Sequence, residues 1–260
     1  MKFTVLTLFP ELFESYFKAS IMKRAIGTNK IEVNFVNIRD YTLDKYNRCD
    51  TPSIGGGAGL ILKCQPIIDA LKANSSTSAH KIIMGPRGTT FNQAKALEFA
   101  KNYDEIVILC GHYEGMDERI YSYFDEEISI GDFILTGGEA AAICIIDSIS
   151  RLLDGVINKD SIVEESFSNN LLEYPQYTEP YNYNGAYVPD ILYSGNHKAI
   201  EKWRKKESLK ITKNKRPDLF AKYNLTKSDL KLLKEIEEGI QPKWEIDALE
   251  KGKKFIKNKD

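Results

Sequence analysis

Glycine is unevenly spread along this 260-residue chain. It clusters as Gly55-Gly56-Gly57-Ala58-Gly59, Gly85-Pro86-Arg87-Gly88, Gly111-His112-Tyr113-Glu114-Gly115, Ile130-Gly131-Asp132 and Gly137-Gly138. Without a Cβ, such loops bring bare backbone N–H and C=O groups close to a ligand. One cluster is an ordinary turn, but several from successive elements point to a ligand pocket. The chain has no Gly-x-x-x-x-Gly-Lys-Ser/Thr, which excludes a P-loop. No Gly-x-Gly-x-x-Gly joins the first strand to its helix, which argues against an ordinary dinucleotide fold. The clusters bring no grouped lysines, so a ligand held by backbone and apolar contacts fits better than a polyphosphate.

Other reactive residues narrow the chemistry. Cys49, Cys64, Cys110 and Cys144 form no Cys-x-x-Cys pair, and with only three histidines a structural zinc is disfavoured. Net charge is -1, yet Lys198 to Arg216 holds nine Lys or Arg against Glu201 and Glu207. That block carries 9 - 2 = +7 and leaves -8 elsewhere, an asymmetry suited to a polyanion. Glu164-Glu165 lies in a polar run and by itself reads as a solvated acidic pair. Arg151 closes the apolar segment Ala140 to Leu153, where a cation suits a helix C-terminus.

The elements that position these residues follow from periodicity. Strands are expected at Phe3–Phe9, Ile31–Ile38, Lys81–Met84, Glu105–Cys110 and Phe133–Leu135. Helices are expected from Leu12 to Ile21, Gln65 to Ala73, Asn92 to Asn102 and Glu139 to Leu153. This alternation predicts an α/β domain with a parallel sheet covered on both faces, over 1–157. Residues 158–172 read as a flexible linker, and 173–241 as a smaller, mainly helical domain. There Thr226-Lys227-Ser228-Asp229 is a capping sequence, and 242–260 reads as a charged tail. At 42% hydrophobic and 11% aromatic residues the chain can build a core, which excludes disorder. No apolar run is long enough for a bilayer and no secretory signal opens the sequence, so a cytoplasmic enzyme without a membrane partner is expected.

Four segments carry a family resemblance. They are Gly111 to Arg119, Ser129 to Glu139 (Ser-Ile-Gly-Asp-Phe-Ile-Leu-Thr-Gly-Gly-Glu), Leu171 to Thr178, and Ser194-Gly195-Asn196-His197. Together they resemble the bacterial tRNA (guanine-N1)-methyltransferases of the TrmD type, and the similarity runs from Leu8-Phe9-Pro10 to about Leu233. The resemblance implies a SPOUT fold with a deep C-terminal trefoil knot, which pattern reasoning alone would exclude. It implies a homodimer with each active site at the subunit interface, and S-adenosylmethionine bound inside the knot. The implied reaction methylates N1 of guanine 37 of tRNA, 3′ of the anticodon. Contacts to the methyl donor are implied for Gly85, Pro86, Gly111, Tyr113, Ile130, Gly131, Phe133, Leu135, Gly137 and Gly138. Glu114 matches the carboxylate that reads the guanine, and Arg151 the catalytic arginine. Asp50, Gly57, Lys205 and Lys206 are the expected tRNA contacts.

The sequence departs from the family in two places. Glu165 stands where the family base is an aspartate, with Glu164 as second candidate, and Ile54 replaces a usual aromatic. The resemblance also implies Mg2+, although no all-protein metal cage stands out. Two other readings stay open at this stage: another knotted RNA methyltransferase, and a non-catalytic RNA-binding protein.

Overall fold

A computed structural model describes residues 1–158, 165–167 and 169–257. The chain divides into two compact units, Met1–Lys159 and Asp160–Asp260. The first is built on a five-stranded, wholly parallel sheet of β1 (Lys2–Thr7), β2 (Glu32–Asn37), β5 (His80–Thr90), β6 (Glu105–Cys110) and β7 (Glu126–Ser129). The strand order is β2-β1-β6-β5-β7. A short antiparallel pair, β3 (Asp50–Pro52) and β4 (Leu60–Leu62), stands outside this sheet.

The central strand shows why this sequence buries both faces. Along β6, Ile106, Ile108 and Cys110 join one core cluster while Val107 and Leu109 join the other. Successive side chains leave a strand on opposite sides, so a continuous apolar run is what a doubly covered strand requires. One face packs beneath α1 (Glu11–Phe17), α2 (Ser20–Gly27), α4 (Gln93–Asn102) and α5 (Glu139–Ser150) through Phe13, Met22, Phe99 and Ile145. The other lies under α3 (Cys64–Asn74) through Ile67 and Leu71. Asn92 starts α4 by accepting a hydrogen bond from the Lys95 N–H at 3.1 Å.

Two expectations for this unit are corrected. Phe133–Leu135 is not a strand: all three residues are exposed in a loop, and the edge strand is the preceding Glu126–Ser129. Two adjacent glutamates hid that strand from the hydrophobic pattern. The strand expected to end at Met84 instead continues to Thr90. Its pairing with β7 breaks between Met84 and Thr89, both of which face Ile128, so Gly85–Gly88 bulge out of the ladder. Gly88 permits this, because a Cβ there would lie 2.3 Å from the Glu127 backbone.

The second unit is mainly helical, with α6 (His197–Lys215), α7 (Pro217–Phe220), α8 (Lys227–Glu237) and α9 (Lys243–Lys257), plus the hairpin β8 (Asn182–Tyr183) and β9 (Ala186–Tyr187). Its cores gather Leu209, Leu232 and Leu233, and Ile191, Trp203 and Ala248. The capping box forms, with the Thr226 hydroxyl accepting from the Asp229 N–H and the Asp229 carboxylate from the Thr226 N–H. The segment read as a tail contains α9, whose Gly252 comes so close to Asp190 that a Cβ would meet its carbonyl oxygen at 1.8 Å.

Candidate active site

The loops at the carboxyl ends of β5, β6 and β7 surround a cleft of 340 Å³ in the first unit. In an open parallel sheet this is where ligands bind. All ten residues expected around the methyl donor line it: Gly85, Pro86, Gly111, Tyr113, Ile130, Gly131, Phe133, Leu135, Gly137 and Gly138. Glu114 lines it too. The sequence reading missed Met84, Met116, Tyr121 and Ala141 on the same wall. Met84 is the last core residue before the bulge and Ala141 lies in the first turn of α5, so each looked like ordinary core.

Backbone proximity shapes the cleft. The Gly138 N–H donates to the Gly111 carbonyl at 2.9 Å, tying the start of α5 to the end of β6. A Cβ on Gly138 would stand 2.8 Å from the Cys110 Cα, so only glycine lets these segments touch. On the far side β4 runs beside the 113–117 loop: the Glu114 N–H donates to the Leu60 carbonyl at 3.1 Å and the Leu62 N–H to the Gly115 carbonyl at 3.0 Å. The Glu114 side chain crosses Gly59, where a Cβ would come within 2.4 Å of its Cγ. Three glycine clusters distant in sequence therefore meet. Tyr113 takes a φ of +59°, a left-handed conformation that a bulky residue adopts at a cost and that occurs often at functional sites.

Buried polar groups brace these walls. Glu139 is 5% exposed and accepts from the Thr7 hydroxyl at 2.7 Å. Burial, then the nearby Glu139, pushes the Cys110 thiol well above its ordinary range, so it is no nucleophile. Arg87 packs over the Tyr121 ring at 4.4 Å and reaches Glu118 at 3.2 Å, closing the bulge over the cleft. Burial raises the Tyr121 hydroxyl as well, so it stays protonated.

The remaining expected residues fall elsewhere. Arg151 caps the C-terminal end of α5, twelve residues beyond the helix start at the cleft. At 1.5 Å per residue that separation is ~18 Å, beyond the reach of an arginine side chain. Asp50 begins β3, and Gly57 sits at φ +124° in open space in the loop that follows it. Glu165 lies in the second unit, on a 210 Å³ pocket with Tyr174, Arg204 and Lys205, while Glu164 lies outside the described residues. Lys206 does not fit a tRNA contact. It is 8% exposed, its ammonium donates to Glu245 at 2.6 Å and lies 3.6 Å from Glu235, and it ties α6 to α8 and α9. Lys205 is half-buried and donates to the Tyr223 hydroxyl at 2.7 Å. The exposed lysines of α6 are Lys198, Lys210, Lys213 and Lys215. The described residues hold no group of three or more His, Cys, Asp or Glu able to cage a metal.

A parallel α/β unit with a glycine-walled cleft at its strand ends, on a chain that also carries a helical unit, defines the class: an α/β protein with a small-molecule cleft. Residues 1–222 match the family described as tRNA (guanine-1)-methyltransferase TrmD, and the chain belongs to that family. It is 55% identical to a tRNA (guanine-N(1)-)-methyltransferase of Clostridium botulinum (strain 657 / Type Ba4) over 242 residues, covering 92% of this chain and all of that protein. A protein of the same name from Clostridium perfringens (strain SM101 / Type A) is 54% identical over 236 residues, covering 90% of this chain and 99% of its own. Among the described residues, no helix is long and apolar enough to cross a membrane.

Proposed function

We propose that this chain methylates N1 of guanine 37 of tRNA, using S-adenosylmethionine held in the 340 Å³ cleft and Glu165 as general base. The observation that carries this reading is the convergence of Gly85, Gly111, Gly131 and Gly138 with Glu114 on one cleft, in a chain of the tRNA guanine-N1 methyltransferase family. The cleft fits the donor's chemistry: its walls are glycine backbone and apolar side chains such as Ile130, Phe133 and Leu135, and no lysine lines it. When bound there, S-adenosylmethionine supplies an already activated methyl group.

The protein's tasks are then alignment, exclusion of water and proton removal. Guanine N1 carries a proton near neutral pH, and its lone pair is free to attack only once a base has taken it. Glu165 takes that proton as the N1–carbon bond forms and the sulfur–carbon bond breaks. Glu114, at the mouth of the cleft, accepts from the guanine edge. Arg151 stabilises negative charge developing on O6. Arg151 closes the end of α5 opposite its own cleft, so it serves the cleft of a second copy, and the enzyme works as a homodimer.

A trefoil knot belongs to the same reading, supported by the Gly138–Gly111 hydrogen bond that draws the chain after β7 against the end of β6. The exposed lysines of α6 hold tRNA phosphates, with Asp50 and Gly57 on the substrate side. The described residues hold no group of three or more His, Cys, Asp or Glu to cage Mg2+. Glu165→Gln tests the assignment of the base. Single-turnover methyl transfer should be lost while S-adenosylmethionine binding by calorimetry persists, and near-normal turnover would sink it.

A further inference from the structure

The loop ahead of β3 presents a ring that none of this chemistry uses. Tyr46 is 66% exposed. The Lys45 ammonium lies 4.7 Å from its ring centre and the Arg48 guanidinium 5.3 Å. The loop beneath it is firmly built. The Asp44 carboxylate accepts from the Tyr46 N–H at 2.8 Å and from the Arg48 guanidinium at 3.1 and 2.9 Å. Those bonds, from Arg48 first and the Tyr46 backbone second, hold Asp44 well below the usual carboxylate range. The hub therefore stays ionised wherever the enzyme would work. Lys63 donates to the Arg48 carbonyl at 3.2 Å, and the Leu43 N–H donates to Gln65 at 3.2 Å. The backbone that carries the ring is thus held before anything binds it, which lowers the entropic cost of a contact.

An exposed aromatic ring with cations over it has a specific complement. An unpaired nucleobase offers a π-face to the ring, and its phosphates offer negative charge to the lysine. An apolar protein surface would instead strip water from the Lys45 ammonium without replacing it. Position supports the RNA reading. Arg48 leads through Cys49 into β3, β3 pairs with β4, and β4 is hydrogen-bonded to the loop of Glu114. The ring and the guanine-reading carboxylate therefore belong to one bonded strip.

We infer that Tyr46 is a stacking platform for an unpaired base of the tRNA substrate other than the target guanine, with Lys45 meeting that nucleotide's phosphate. This rests on the tRNA reading above and adds a specific substrate contact to it. The hydroxyl of Tyr46 has no hydrogen-bond partner among the described residues, so the ring is what should matter.

The test is equilibrium binding of a tRNA transcript to full-length wild type, Tyr46→Ala, Tyr46→Phe and Lys45→Ala, with S-adenosylhomocysteine binding measured in parallel. Tyr46→Ala should weaken tRNA binding about ten-fold and Tyr46→Phe by less than about two-fold. Lys45→Ala should lower the salt slope by about one ion. S-adenosylhomocysteine affinity should be unchanged in all. If wild type binds and methylates tRNA while Tyr46→Ala binds it equally well, the platform is wrong and the methyltransferase reading stands. If wild type binds no tRNA, both fall. If Tyr46→Ala instead converts a dimer to monomers, the ring is a subunit contact and the inference is overturned.

Discussion

Gly138→Ala asks whether backbone contact shapes the cleft. Gly138 has φ -79° and ψ -7°, so alanine is conformationally free to replace it. The obstacle is space alone. The new Cβ would stand 2.8 Å from the Cys110 Cα, 3.0 Å from the Gly111 nitrogen and 3.1 Å from the Met84 Cβ. Ordinary contact starts at 3.4 Å, so the two backbones must part by 3.4 - 2.8 = 0.6 Å. Two of the three atoms are backbone, so no side-chain rotation relieves the overlap, and the 2.9 Å bond from Gly138 to Gly111 stretches. Overpacking of this kind costs about 1–3 kcal/mol. In a unit of this size each kcal/mol lowers the melting midpoint by about 2–4 °C. Calorimetric titration with S-adenosylmethionine should show affinity reduced by about ten-fold or more, since 1.4 kcal/mol is one decade. Gly27→Ala is the control, because nothing lies within 4 Å of its Cβ position. The reasoning is refuted if Gly138→Ala melts and binds the donor as Gly27→Ala does.

Two further outcomes follow from the geometry. Lys206→Met should destabilise the second unit by about 3 kcal/mol, because it leaves the largely buried Glu235 and Glu245 without their shared cation; a thermal melt matching wild type would contradict the pairing, and adding Glu245→Gln should recover part of the loss. Glu114→Gln and Arg151→Ala should each be inactive alone, yet co-expressed and purified through two different tags they should regain activity in the mixed dimer; no recovery would mean that one chain supplies both residues to a site.

Much of the first unit was legible because a doubly covered parallel sheet writes itself as apolar runs, such as Glu105–Cys110, separated by helical spacing. The cleft was legible for a related reason: where backbones must touch, as at Gly111 and Gly138, only glycine fits, and it leaves a visible mark. The failures are equally physical. Glu126 and Glu127 disguised the edge strand, since Glu126 pairs with His80 and Lys95 while Glu127 turns back to the Arg87 N–H. Phe133, Ile134 and Leu135 mimicked a strand because an apolar run reads the same whether it pairs in a sheet or lines an exposed cleft. In the basic block, charge counting could not distinguish Lys206, paired inside its own unit, from Lys210 on the surface. The place of Arg151 was hidden too, because a cation that closes an apolar helix reads the same whether or not that end of the helix lies near the cleft.

The central claim is methyl transfer to N1 of the guanine that follows the anticodon. The most direct measurement supplies purified protein with labelled S-adenosylmethionine and tRNA transcripts that differ only in that base, then identifies the product after nuclease digestion. The account predicts label recovered as 1-methylguanosine from the guanine transcript and none from its adenine counterpart. Label on a ribose, or equal incorporation into both transcripts, would contradict it.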